Sequence, residues 1–140
     1  MIRGDLLLFL LAIIIVGVLL FVLAHLTKKR PTAFDKEEYQ IAFLNIENTL
    51  SHENSLSWNA VVTDADKLLD KALCEMGLQG KTMGDRLKNA KTKFTQLNSV
   101  WYAHKLRNQI AHEHGFQLDY KQAAHALTVY RQALRDLGAI

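Results

Sequence analysis

Hydrophobic and polar positions divide the chain into two regimes. From Leu6 the sequence runs to Leu26 as 21 residues without a charge, LLLFLLAIIIVGVLLFVLAHL. A helix rising 1.5 Å per residue carries such a run through about 31 Å, the thickness of a bilayer's hydrocarbon core. It predicts one transmembrane helix. Beyond residue 34 apolar residues recur instead every three or four positions, the spacing of helices that bury one face. Tyr39, Phe43, Ile46 and Leu50 mark the first, behind Asp35 and Glu38, which resemble an N-terminal capping pair. Residues 52–57 are a polar break. Trp58, Val61, Val62, Ala65, Leu68, Leu69, Ala72 and Met76 mark the second helix, and Gly77, Gly80 and Gly84 end it in a loop. Thr82 and Asp85 suit the cap of a short helix reaching Lys93. A further helix spans residues 97–113 and is stopped by Gly115. Asp119 with Gln122 opens the last, along which Tyr120, Ala123, Leu127, Tyr130, Leu134 and Leu137 line one stripe. The fold predicted is all-α: an antiparallel bundle of four main helices plus a short one, preceded by one transmembrane helix.

The anchor reading has a competitor, a cleaved signal peptide with Val22-Leu23-Ala24 near the cut. The apolar run is longer than the roughly 7–15 residues of a signal core. The basic cluster Lys28-Lys29-Arg30 also follows the run instead of preceding it. Residues 1–30 are therefore read as a membrane anchor with a basic flank, and residues 31–140 as the domain. The cluster outweighs Arg3 with its neighbour Asp5. The positive-inside rule then places the N-terminus outside and the domain in the cytoplasm of a single-pass cell-membrane protein. A lone cysteine, Cys74, suits that reducing compartment and excludes an internal disulfide framework. It reads as a small buried hydrophobe. The net charge is +3, yet residues 31–140 hold 13 basic and 13 acidic side chains. Charge alone thus gives no reason to expect a general nucleic-acid surface. Lys88, Lys91 and Lys93 are a modest local basic segment.

Chemistry gathers on the helix over residues 97–113, LNSVWYAHKLRNQIAHE. On a wheel of 100° per residue, Tyr102, Ala103, Leu106 and Ile110 share one side, the expected core face. Val100, Trp101 and Ala111 lie on the other, among His104, Arg107, Asn108 and His112. His104, Asn108 and His112 follow at i, i+4, i+8 and form a stripe bordered by Arg107. A helix apolar on two sides is buried on two sides, and a partner subunit is a common second cover.

Arg107-Asn108-Gln109-Ile110-Ala111-His112 fits R-N-x-x-x-H, and it resembles the signature of the HEPN domain family, R-x(4–6)-H with a polar residue often after the arginine. The likeness covers the helix layout of roughly residues 35–138, with six residues carrying the specific similarity. It implies a metal-independent endoribonuclease, without cofactor, acting on RNA as a homodimer whose two motifs meet across a symmetric interface. Arg107 would hold the scissile phosphate. His112 would move a proton, the ribose 2′-hydroxyl being the nucleophile. Asn108 would orient phosphate or imidazole, with His104 supporting. Arg107 and His112 stand about 140° apart around the helix, a divergence that a composite site of two subunits relieves. The antitoxin-paired toxins of the family often carry Tyr where this chain has His114. The alternative is a non-catalytic dimerisation or interaction module tethered to the membrane, with the motif residues as interface groups. In that case Arg107 pairs with Glu113 or a neighbouring helix.

The remaining patterns are bland. His112-Glu113-His114 with His104 matches no zinc spacing, and alternate imidazoles on a helix point apart, so no metal is expected. Gly80-Lys81-Thr82 lacks the P-loop's first glycine, since position 75 is Glu75. Asp64, Asp66 and Asp70, interleaved with Lys67 and Lys71, read as a solvated face. Trp58 and Trp101 read as packing residues. Tyr102 and Tyr130 read as core or interface residues with hydroxyls near the edge.

Overall fold

The computed structural model describes residues 2–26 and 33–140, and every regular element among them is an α-helix. It divides into two units, the helix α1 (Ile2–Leu26) and the domain Ala33–Ile140. The basic cluster Lys28-Lys29-Arg30 lies outside the described residues. Helix α1 is long and apolar enough to cross a membrane: none of the 18 residues of Leu6–Leu23 is buried within the protein. In water that surface would be costly at about 25 cal/mol per Å² of apolar area.

Four of the domain's five helices begin where a capping side chain satisfies a free N–H group of the first turn. Helix α2 (Lys36–Thr49) is capped by Asp35, whose carboxylate accepts from the Glu38 N–H at 3.1 Å. The reciprocal half of that expected box is not made, because Glu38 turns to Lys71 of the next helix. Helix α3 (Ser55–Glu75) starts inside the expected polar break, capped by Asn54. Helix α4 (Met83–Asn89) carries a full capping box between Thr82 and Asp85 and stops short of Lys93. Gly84 lies within α4 and not in the preceding loop. Helix α5 (Leu97–His112) ends at Glu113. Helix α6 (Tyr120–Asp136) is opened by the Asp119–Gln122 box.

Helix α3 is the hub. It packs against α2, α4, α5 and α6, and α5 also packs on α6. Val61, Val62, Leu69 and Leu73 of α3 meet Leu87, Leu134, Tyr39 and Tyr130 in a core with almost no solvent access. Several sequence expectations change here. Cys74 is exposed, not buried. Tyr102 is 41% exposed and leaves the core face of α5, while Val100 and His104 join Ala103 and Leu106 on it. Asp66 is 3% exposed, so the three aspartates of α3 do not share a solvated face.

Candidate functional site

The register of α3 explains how an acid enters the core. Val62, Asp66, Leu69 and Leu73 follow at i, i+4, i+7, i+11 on one face, and all four are buried. A buried carboxylate needs donors. Asp66 Oδ1 accepts from the Tyr130 hydroxyl of α6 at 2.8 Å and meets Nδ1 of His104 on α5, also at 2.8 Å. Asp66 Oδ2 lies 3.5 Å from Nε of Arg107. One side chain thus ties three helices together.

The chain of contacts continues outward along α5. A carboxylate facing Nδ1 requires the hydrogen on that nitrogen, and in the neutral ring Nε2 of His104 is then an acceptor. Nδ2 of Asn108 lies 3.2 Å from it and donates. Oδ1 of the same amide accepts from Nη1 of Arg107 at 3.2 Å. Every donor in the sequence Arg107, Asn108, His104, Asp66 therefore points inward toward the carboxylate. Burial, and then the neighbouring Asp66 charge, push the Tyr130 phenol well above its ordinary range. Its hydroxyl keeps its proton and remains a donor.

Arg107 is the outermost member. Its Nε is buried without a hydrogen-bond partner, and the side chain is 31% exposed. A guanidinium has five N–H donors, and the described contacts use one in a hydrogen bond. It opens onto a cleft of about 720 Å³ between α3, α4 and α5, which Asn108, His104, Trp101 and His112 also line. Lys67, Lys81, Arg86 and Lys88 line the same cleft. Arg86 is committed to structure: Nε and Nη2 bind both oxygens of Asp70 at 2.7 Å, and Nη1 reaches the Gly80 carbonyl at 2.6 Å. That pairing raises the Arg86 pKa further and fixes α4 on α3. Lys67 and Lys88 make loose exposed pairs with Asp64 and Asp85, at 3.4 and 4.0 Å. Such pairs are worth little and leave the ammonium groups available to another anion.

The residues singled out on α5 are thus brought to one cleft, but with unequal ties. Arg107, Asn108 and His104 are joined by hydrogen bonds. His112 lines the cleft and is exposed, and its side chain makes no hydrogen bond or ion pair among the described residues. Arg107 pairs with Asp66 of α3, not with Glu113, which receives Gln109 instead. His104 and Arg107 lie on the buried side of α5, not on a face opposite the core. The wheel misplaced them because their partner comes from another helix. Asp66 and Tyr130 are the residues that sequence reasoning missed. The available signal was the position of Asp66 in the apolar register of α3, outweighed there by its acidic neighbours. Comparison with known proteins gives no match to this chain, whether family model, curated protein or solved structure.

Proposed function

We propose that the protein is a membrane-anchored HEPN-like endoribonuclease, metal-independent and acting as a homodimer of antiparallel helical bundles in the cytoplasm. The observation that carries this reading is one juxtaposition. Arg107, braced by Asp66 and Asn108, opens onto a lysine-lined cleft that also holds the uncommitted imidazole of His112. A planar cation with spare donors suits a phosphodiester. A free imidazole suits a proton that must move near neutral pH.

In this mechanism Arg107 holds the non-bridging oxygens of the scissile phosphate. The ribose 2′-oxygen attacks phosphorus as His112 removes its proton, and the bond to the 5′-oxygen breaks. The leaving oxygen takes a proton from His112 of the second copy. The products are a 2′,3′-cyclic phosphate and a 5′-hydroxyl. Asn108 keeps Arg107 aimed, and His104 keeps Asn108 aimed.

The test is cleavage of single-stranded RNA by the full chain in detergent or nanodiscs, with EDTA present. The parent should cut, leaving cyclic-phosphate ends. His112→Ala should lose on the order of a hundred-fold or more in rate, with helicity and oligomeric state unchanged. A folded, dimeric parent that leaves RNA intact would refute the catalytic reading.

A second reading has its own observation. The hydrogen bonds that join Asn108, His104, Asp66 and Tyr130 are made within the domain and bridge α3, α5 and α6. That is what a structural clamp in a non-catalytic, membrane-tethered interaction module requires. His112→Ala would then leave no catalytic trace and would weaken self-association instead.

A further inference from the structure

A second depression adjoins the cleft at Trp101. It has a volume of about 510 Å³ and is lined by Asn98, Trp101, Tyr102, His104, Lys105 and Asn108. These residues follow at i, i+3, i+4, i+6, i+7, i+10, so the groove runs along α5 itself. Its character differs from that of the cleft. The lining is mostly apolar, holds one cation and no carboxylate, and includes the rings of Trp101 and Tyr102. Trp101, His104 and Asn108 line both depressions.

The two rings are held differently. Trp101 is half-buried and wedged against α4: a Cβ added at Gly84 would stand 3.7 Å from its ring. Its indole also meets the His104 imidazole edge-on, with ring centres 6.1 Å apart. Tyr102 is 41% exposed, and its ring is tilted against His125 of α6 at 6.0 Å. Asn98 is exposed, and its amide has no hydrogen-bond partner among the described residues. An exposed aromatic ring, a second ring at its side and a free amide form a surface for a flat, heterocyclic ligand.

We infer that this groove is a nucleobase subsite for single-stranded RNA. A base would stack on Tyr102 beside Trp101, with its edge toward Asn98, while the adjoining phosphate occupies the Arg107 cleft. The inference rests on the reading of that cleft as a phosphodiester site and adds the substrate's form: unpaired RNA, held by one base next to the phosphate. Charge favours this occupant. Lys105 borders the groove, which holds no acid, and around the adjoining cleft Lys67, Lys81, Arg86, Lys88 and Arg107 outnumber Asp66, Asp70 and Asp85. Continuity favours it too, because a nucleotide passing Trp101 presents its base to one depression and its phosphate to the other. A base-paired strand keeps its faces stacked and could not enter.

The test compares two fluorescent ten-nucleotide probes with identical 2′-O-methyl backbones, which lack the nucleophile. One carries mixed bases and the other is abasic throughout. Binding to the full chain in nanodiscs is measured at one fixed salt concentration, with Tyr102→Ala, Tyr102→Leu and Tyr102→Phe alongside. Because Tyr102 is exposed, these variants keep the fold. The base-bearing probe should bind the parent more tightly than the abasic one. Tyr102→Ala and Tyr102→Leu should weaken it on the order of ten-fold, Tyr102→Phe should not, and the abasic probe should ignore all three. Equal affinity of the base-bearing probe for parent and Tyr102→Ala overturns the subsite, and abasic binding in that case leaves the phosphodiester reading standing. Failure of both probes to bind overturns both. A Tyr102→Ala chain that loses its dimer but keeps its RNA affinity assigns the groove to a second copy and overturns the subsite.

Discussion

Asp66 is an acid in a core position, and its neighbours decide what it does. Its Oδ1 receives Tyr130 and His104, and its Oδ2 faces Arg107. Removing one donor and removing the acceptor are therefore unequal perturbations. Tyr130→Phe leaves Asp66 bonded to His104 and should cost about 1–2 kcal/mol. Asp66→Ala strands two hydrogen-bond donors and leaves the Arg107 cation without its ion-pair partner, and should cost about 3–5 kcal/mol. Urea unfolding of the domain Ala33–Ile140 measures both, and equal costs would show that Asp66 is not the centre of the network. Tyr130 also sets an alkaline limit. Burial and the Asp66 charge raise its pKa in the folded state. The unfolded phenol, with its ordinary pKa near 10, gives up its proton first. The stabilisation is then complete below about pH 10 and is lost as pH rises further. Stability of the parent should fall above that point, and Tyr130→Phe should fall less steeply. Some slope should persist, because burial and then Glu75 also push the Tyr39 phenol up.

At the scale of elements, the site depends on how α5 is entered and how α6 ends. Asp136, the last residue of α6, accepts from the Thr95 N–H at 2.7 Å and its hydroxyl at 2.8 Å, just ahead of α5. Burial alone would raise this carboxyl, but the Thr95 N–H, Gln132 and the Thr95 hydroxyl outweigh it and bring the pKa below its ordinary value. A lowered carboxyl contributes above its unfolded pKa and loses that contribution as pH falls through the folded one. Asp136→Ala should cost about 1–2 kcal/mol at pH 7 and flatten the loss of stability below about pH 4. Hydrogen exchange at the Thr95 amide should quicken in the variant, and an unchanged amide would refute the tether. The same elements show what a sequence can and cannot reveal. Capping is local, so Thr82 with Asp85 and Asp119 with Gln122 were readable before any tertiary contact. The 3,4 spacing of apolar residues likewise located α2, α3 and α6. The faces of α5 were not readable, because hydrophobicity ranks Tyr102 above His104 and Arg107. Those two are turned inward by Asp66, 38 residues before His104, and no window along one helix contains that partner. The motif residues themselves were visible as a stripe. Their unequal roles, with three in a chain and His112 apart, required the packing of α3 and α6.

The whole molecule sets a charge-neutral domain behind an apolar helix, and its orientation can be tested on the native chain. Basic residues concentrate at Lys28, Lys29 and Arg30, after the apolar run, against a single Arg3 balanced by Asp5 before it. Under the positive-inside rule this bias is expected to keep the domain on the cytoplasmic side. The proposed function requires that side, since an enzyme acting on cellular RNA must meet it there. Cys74 supplies the probe. It is the one cysteine of the sequence, it is exposed at the end of α3, and it does not line the Arg107 cleft or the Trp101 groove. A membrane-impermeant maleimide added to intact cells should therefore leave the chain unlabelled. The same reagent should label it after the membrane is opened, or in inside-out vesicles. Labelling in intact cells would place the domain outside, away from cellular RNA. It would remove the endoribonuclease reading while leaving the tethered interaction module intact. Resistance of the chain to extraction by alkaline carbonate should accompany either topology, because it reports the anchoring of α1 and not its direction. Carbonate-soluble chain would show instead that the apolar helix does not span, and the charge argument would then have no membrane to orient.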